Sequence, residues 1–170
     1  FDPSYLVGVN ASKTYRELSV KSLQRTRLET AVAVTKAYYS LLLIRERKKV
    51  IDINVVRLEK LFNDTKAMYT NGFIEKIDLD RIQVTYNNIL SEQEKLGRFV
   101  DLTERNLKFQ MGLPDYAKLV ITDLLDEVAI KNLSIEVSFP ELSKRIEYSI
   151  LKTQEQLQLY NIKLYKEIGR

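Results

Sequence analysis

Apolar residues recur at alternating spacings of three and four along two long stretches of the chain, one before and one after residues 69–79. Nine of the eleven heptad a and d positions of the first stretch are apolar or aromatic; the eleven are Val34, Ala37, Leu41, Ile44, Lys48, Ile51, Val55, Leu58, Phe62, Thr65 and Tyr69. The second stretch repeats the period at Leu79, Ile82, Tyr86, Ile89, Gln93, Leu96, Val100, Thr103 and Leu107. A 3.5-residue period is typical of helices in left-handed coiled coils, so the pattern predicts two long helices. We call these two sets of positions the seam of each helix.

The two predicted helices are separated by a short turn that contains Asn71-Gly72. Glycine accepts the left-handed conformation that ends a helix, and a short connection between long helices favours an antiparallel hairpin. The second helix should begin near residues 76–78, where the carboxylate of Asp78 in the first turn complements the helix dipole. It should end at Gly112, with Pro114 just beyond. Residues 69–79 therefore become the tip of the hairpin.

The chain outside the hairpin lacks this period. In residues 1–11, Tyr5, Val7 and Val9 alternate with a period of two, which indicates an extended segment leading into the hairpin of residues 12–112. Residues 113–170 read as a small mixed region with short strands at 117–122 and 133–137, a helical turn at 123–129, and a third helix opened by Pro140. The predicted fold is mainly all-α: a long antiparallel coiled-coil helical hairpin with a small mixed α/β region at its base.

Composition supports long regular elements and narrows the chemistry. The 170 residues include only five Gly and three Pro, and the net charge of +4 is spread along the chain. The densest basic run, residues 45–49, contains Glu46 and is better explained as a solvated helix face than as a phosphate-binding patch. We therefore expect no nucleic-acid partner.

The sequence contains no Cys and no His, which removes thiol nucleophiles, imidazole bases and the usual zinc ligands. It has no glycine-rich phosphate loop and no paired carboxylates at a catalytic spacing. We expect no enzyme activity, no metal site and no cofactor. No run of about 20 apolar residues is present that could cross a membrane as a helix. The start on Phe1-Asp2-Pro3 leads us to expect a piece of a longer protein.

The remaining candidate for a functional site is the tip. Phe73 and Ile74 are apolar residues in a turn, where solvent exposure is expected, and exposed apolar side chains often mark a contact site. The simpler alternative is a plain connection between two helices. A two-helix hairpin of this length also has apolar surface that two helices alone do not cover, which suggests lateral partners.

The sequence resembles the TolC-like outer-membrane efflux protein family in four stretches. Residues 24–29 and 37–42 look like the long helix that enters the periplasm. Asn71-Gly72, followed by Asp78 six residues after the glycine, resembles the family's tip pattern, although Glu75 and Lys76 replace small hydroxyl residues common there. Residues 106–114 look like the exit from the second helix. Residues 145–148 resemble the segment that opens the next helix, with Ile146 where Pro is usual.

This resemblance covers about one of the family's two structural repeats and implies a function. The chain would be the periplasmic part of a homotrimeric outer-membrane channel that forms a helical tunnel and exports small molecules. Its partners would be a periplasmic adaptor (membrane fusion) protein and an inner-membrane pump, with membrane contact only through strands outside this segment. By resemblance, Asn71, Gly72, Phe73 and Ile74 form the adaptor-docking tip, and Asp78 lies at the periplasmic entrance. The extended segment at Tyr5, Val7 and Val9 would be the descent from the membrane barrel, and residues 113–170 would be the equatorial region.

A second interpretation needs no channel. The heptads could belong to a soluble coiled-coil scaffold or interaction protein, in which the tip is an ordinary turn. The two interpretations share the hairpin and differ in what surrounds it. A signal peptide, a second copy of the pattern and flanking alternating strands in the complete gene would favour the channel.

Overall fold

The computed structural model describes residues 3–122 and 141–168, and these residues are almost entirely helical. Helix α1 runs Pro3–Thr70, α2 runs Lys76–Gln110, a short 3-10 helix covers Leu142–Lys144, and α3 runs Ile146–Ile168. The chain divides into two units: one combines residues 1–32 with 133–170, and the other contains residues 33–132. The division falls within α1, so each unit contains part of that helix.

The predicted hairpin is present in the second unit, where α1 and α2 pack along their seams. Every seam position of both helices is buried or half-buried except Tyr69, the first residue of the tip. The most deeply buried side chains are Leu41, Leu96 and Leu107. Phe62 of α1 stacks on Tyr86 of α2, with ring centroids 5.7 Å apart. The all-helical, coiled-coil-like architecture of the prediction is therefore confirmed.

The extended segment predicted for residues 1–11 is wrong from Pro3 onward, because α1 begins at that residue. Proline is tolerated in the first turn of a helix, where its missing N–H has no intrahelical partner to lose. The half-buried residues Val7, Ala11, Thr14 and Leu18 follow spacings of four, three and four, which is a helical period. Three alternating residues were too short a run to distinguish a strand from a helix.

The strand predicted at residues 117–122 is also wrong, although its alternation has a physical cause. Leu119 and Ile121 pack against a core cluster of Ala37, Leu41 and Leu107, while Val120 between them is exposed. The segment is thus apolar on alternate residues because it lies along the hairpin base, without a β ladder. No strand occurs in residues 3–122 or 141–168, so a mixed α/β region is not supported. The predictions at 123–129, at 133–137 and for Pro140 fall outside the described residues.

In the other unit, the first part of α1 pairs with α3. The Lys21 ammonium donates a 2.7 Å hydrogen bond to the Thr153 hydroxyl, and Tyr15 lines a groove together with Leu157. Because residue numbers rise along α1 as they fall along α3, the two helices are antiparallel. Among the residues of α3 whose burial the structure describes, 146–166, Ile150 and Thr153 are buried.

Candidate functional site at the hairpin tip

The tip is closed by backbone hydrogen bonds centred on Gly72. The Gly72 N–H donates to the Tyr69 carbonyl at 2.9 Å, and the Phe73 N–H donates to the Met68 carbonyl at 2.9 Å. This pair of bonds is the Schellman motif, which satisfies carbonyls at a helix end and requires a left-handed residue at its centre. Gly72 supplies that conformation with φ of 76°. The predicted role of Gly72 in shaping the turn is therefore explained by backbone geometry.

The other predicted tip residues differ in what they expose. The Asn71 side-chain amide donates to the Ala67 carbonyl at 2.9 Å, so this side chain caps α1. Phe73 is 77% exposed, whereas Ile74 is half-buried. Of the two residues predicted for docking, Phe73 thus presents most of its ring to solvent and Ile74 only part of its side chain.

Asp78 lies in the first turn of α2 and is separate from residues 71–74, which connect the two helices. Its backbone N–H donates to the carbonyl of Glu75, the residue that precedes the helix, at 3.1 Å. Its exposed carboxylate lies 3.9 Å from the Arg81 guanidinium, one turn further along. The structure therefore places Asp78 at the start of α2, where a carboxylate favours the helix dipole.

Further exposed apolar side chains flank the predicted site. Met68 and Tyr69 precede the turn, Ile77 follows it, and all three are exposed. Sequence reasoning did not include Met68 and Ile77 in the site. Their positions in the sequence could have indicated this exposure. Both are apolar but lie outside the seam, so neither is needed between the two helices.

Behind the tip, a polar contact crosses the hairpin where both seams are interrupted. Lys48 and Gln93 each donate a 2.7 Å hydrogen bond to the carboxylate of Asp52. The Lys48 contact, and after it the Gln93 contact, lowers the pKa of the Asp52 carboxyl below its ordinary value. We call Lys48, Asp52 and Gln93 the polar layer.

The basic run at residues 45–49 is compensated by carboxylates. Arg45 pairs with Glu104 at 3.2 Å and Arg47 pairs with Glu92 at 2.9 Å, both across the hairpin. Lys48 and Lys49 pair within α1, with Asp52 and Glu46. These contacts explain the dense run as an ion-paired strip along the hairpin.

The tip offers an apolar contact surface on a fixed turn. Within residues 3–122 and 141–168, no group of three or more carboxylates is placed to hold a metal ion. In the same residues, no helix carries an apolar run of the length needed to cross a membrane. The exposed side chain of Phe73 and its apolar neighbours offer a surface that another apolar surface could contact.

Comparisons with protein-family models, with curated proteins and with solved structures found no match to this chain.

Proposed function

We propose that this chain supplies a helical hairpin to the periplasmic part of a trimeric outer-membrane efflux channel. Copies of the hairpin would pack side by side as a tunnel, and the tip would dock a periplasmic adaptor linked to an inner-membrane pump. Small molecules would pass through the tunnel passively, with energy supplied by the pump. The chain itself would catalyse no reaction.

The observation that carries this proposal is a second apolar stripe on the hairpin, away from the seam. On α1 the stripe consists of Tyr39, Leu43, Val50 and Ile53, which are spaced by four, seven and three residues and are each more than half exposed. Such spacing places side chains on one helix face. A helix face with several exposed apolar side chains suits a lateral partner.

Helix α2 has a corresponding set of exposed apolar residues outside its seam. Phe99, Leu102 and Phe109 follow spacings of three and seven, and Phe109 is 78% exposed. Exposed apolar residues grouped on one helix face often mark protein–protein contact sites. Apolar faces on both helices suit packing between neighbouring hairpins, which a barrel of copies requires.

The tip supports the docking half of the proposal. Phe73 is held on a turn whose backbone is fixed by the hydrogen bonds of Gly72, so binding would cost little ordering of the chain. A rigid, exposed aromatic side chain is a frequent hot spot in protein interfaces. Asp78 would lie near the tunnel entrance.

The test is crosslinking in the envelope from single cysteines placed in this chain, which has no native Cys, within the full-length protein after any other Cys has been replaced. Phe73→Cys should crosslink to an adaptor, whereas Leu43→Cys on the α1 stripe should crosslink copies to each other. Tyr116→Cys is the matched control, since Tyr116 is an exposed aromatic residue beyond the far end of α2. Equal adaptor crosslinking from Phe73→Cys and Tyr116→Cys would reject docking at the tip. Failure of Leu43→Cys to link copies would reject the tunnel.

One observation favours the alternative, a coiled-coil scaffold without a channel. The resemblance implies an extended segment that descends from a membrane barrel, but α1 is helical from Pro3. A scaffold would need only the helices. The complete gene separates the two proposals: a signal peptide, a second copy of the heptad pattern and flanking alternating strands belong to the channel. A gene that lacks all three belongs to the scaffold.

A further inference from the structure

The seams of α1 and α2 are apolar along most of their length, which leaves their register weakly specified. Leu, Ile and Val residues pack almost interchangeably, so sliding one helix by seven residues still brings seam against seam. Such a slip moves the helices by about 10 Å. Within the seam, a residue that distinguishes the native register must therefore be one that is not apolar. Beside the seam, the pairs Arg45–Glu104 and Arg47–Glu92 also cross the hairpin, but partly exposed ion pairs contribute little.

Lys48, Thr65, Gln93 and Thr103 are the polar residues of the seams, and they differ in whether their hydrogen bonds stay within one helix. The hydroxyls of Thr65 and Thr103 each donate at 2.7 Å to a carbonyl one turn back in their own helix, Leu61 and Phe99 respectively. These bonds are local and survive any displacement of one helix along the other. The two threonines consequently give no preference for one register.

Lys48 and Gln93 differ from the two threonines, because both reach Asp52. The Lys48 ammonium bonds Asp52 Oδ2, and the Gln93 amide of the opposite helix bonds Asp52 Oδ1. Each carboxylate oxygen thus receives one donor, and one of the donors comes from across the hairpin. Bonds to a charged acceptor are about twice as strong as neutral ones.

A slip of one heptad removes the cross-helix donor. The residue that replaces Gln93 opposite Asp52 is then Val100 in one direction, which has no donor, or Tyr86 in the other, which leaves its stack with Phe62. Gln93 would at the same time face apolar seam residues. Both displaced registers therefore lose bonds that the native register keeps.

We propose that the polar layer of Lys48, Asp52 and Gln93 specifies the register of α1 against α2, at some cost in stability. The turn at Gly72 alone does not do this, because a helix can end and restart a few residues further along the chain. The layer lies about 20 residues from the tip and fixes the body of the hairpin. This inference does not depend on the channel proposal.

Disulfide trapping in the full chain measures the register directly. Arg45 and Glu104 form a cross-helix ion pair and report the native register when both are replaced by Cys. Arg45→Cys with Gly97→Cys, or with Met111→Cys, reports a slip of one heptad in either direction. With the native layer, only the first pair should oxidise within a chain.

The decisive variant makes the seam apolar by combining Lys48→Leu with Gln93→Leu. In that background we expect the slipped disulfides to rise by about threefold to tenfold, since Lys48 and Asp52 are each more than a third exposed and solvent weakens their bonds. The matched control combines Thr65→Leu with Thr103→Leu, which adds the same side chains to the seam. It should keep the native disulfide alone. The proposal is overturned if slipped disulfides increase in both backgrounds or in neither.

A rescue variant guards against a general loss of structure. Exchanging the charges, Lys48→Asp with Asp52→Lys, rebuilds the layer, because the Gln93 amide can turn its oxygen toward the new ammonium. The amount of slipped disulfide in this variant should be as low as in the chain with the native polar layer, and below that in the Lys48→Leu, Gln93→Leu background. Persistence of slipped disulfides in the exchanged variant, with helicity retained by circular dichroism, would also contradict the proposal.

Discussion

Helix α1 takes part in both the α1–α2 hairpin and the α1–α3 pair, but the buried contacts of the two pairs differ in polarity. In the hairpin, a sustained heptad seam buries Leu41, Leu96 and Leu107 almost completely. In the other pair, the buried residues of α3 are Ile150 and Thr153, and a lysine of α1 contacts the buried threonine. Antiparallel pairing of helices thus rests mainly on apolar packing in one unit and includes a buried polar contact in the other. Substitutions should therefore affect the two units by different mechanisms.

The largest change in the free energy of unfolding is expected at the most deeply buried part of the hairpin core. Leu41→Ala removes a fully buried side chain that packs with Ala37 and Leu107, and it should lower the free energy of unfolding by about 3 kcal/mol. Urea denaturation followed by circular dichroism measures this loss. Leu61→Ala on the exposed surface of the same helix, at a residue outside the stripe of exposed apolar residues, is the control and should stay within about 0.5 kcal/mol. Equal losses would mean that the seam does not carry the hairpin.

The hairpin turn should respond next most strongly. Gly72→Ala forces a side chain into the left-handed conformation and should cost about 1 to 2 kcal/mol, although space around the site is open. Gly97→Ala inside α2 also meets open space but has helical geometry, so it should stabilise by about 0.5 to 1 kcal/mol. The opposite signs distinguish backbone conformation from crowding, and thermal unfolding measures both. A stabilising Gly72→Ala would contradict the Schellman geometry.

In the α1–α3 pair, the sensitive group is a hydroxyl. Thr153→Val keeps the shape but removes the acceptor for Lys21 and the donor to the Ser149 carbonyl, at a cost of about 1 kcal/mol. Thr26→Val removes a bond within exposed α1 and should change the free energy of unfolding by less than about 0.5 kcal/mol. Chemical denaturation of the two variants provides the comparison. Equal effects would mean that the buried hydroxyl of Thr153 contributes no more to stability than the exposed hydroxyl of Thr26.

The smallest expected effect is on the pH dependence of the polar layer. Lys48 and Gln93 lower the pKa of Asp52 in the folded chain. The ionised carboxylate of Asp52 therefore stabilises the folded state fully at pH values above the unfolded pKa of about 4. That contribution is lost as pH falls through the lower folded pKa. Urea midpoints measured at pH 7 and pH 3 should therefore differ less in Asp52→Asn than in the native chain. An unchanged difference would contradict the contacts of Asp52.

The sequence-based prediction succeeded where one period continued over many turns. The seam positions from Val34 to Leu107 were identified because packing of two long helices imposes a 3.5-residue repeat that few other structures share. Gly72 was identified because a positive φ favours glycine. Short patterns failed for a related reason. Tyr5, Val7 and Val9 follow a strand period over only five residues, which is too short a run to exclude the helix found there. The alternation of Leu119 and Ile121 reflects packing on the hairpin base.

The candidate site was predicted only in part, since contact partners depend on register. The sequence shows Lys48 as a polar residue at a seam position, but Asp52 lies outside the seam and its bond to Gln93 spans 41 residues. Only the pairing of the two helices brings them together. The exposure of Phe73 was expected from the turn, whereas the capping role of the Asn71 side chain follows from local geometry that the dipeptide alone does not define.

The length of α2 has a consequence for how this hairpin can change. The helix has 35 residues, which is five heptads, so its first and last turns face the partner helix in the same way. Adding one heptad to each helix would move the tip outward by about 10 Å without rotating it, whereas one extra residue would turn it by about 100°. Hairpins of this design can therefore lengthen or shorten only in whole repeats if Phe73 is to keep its direction.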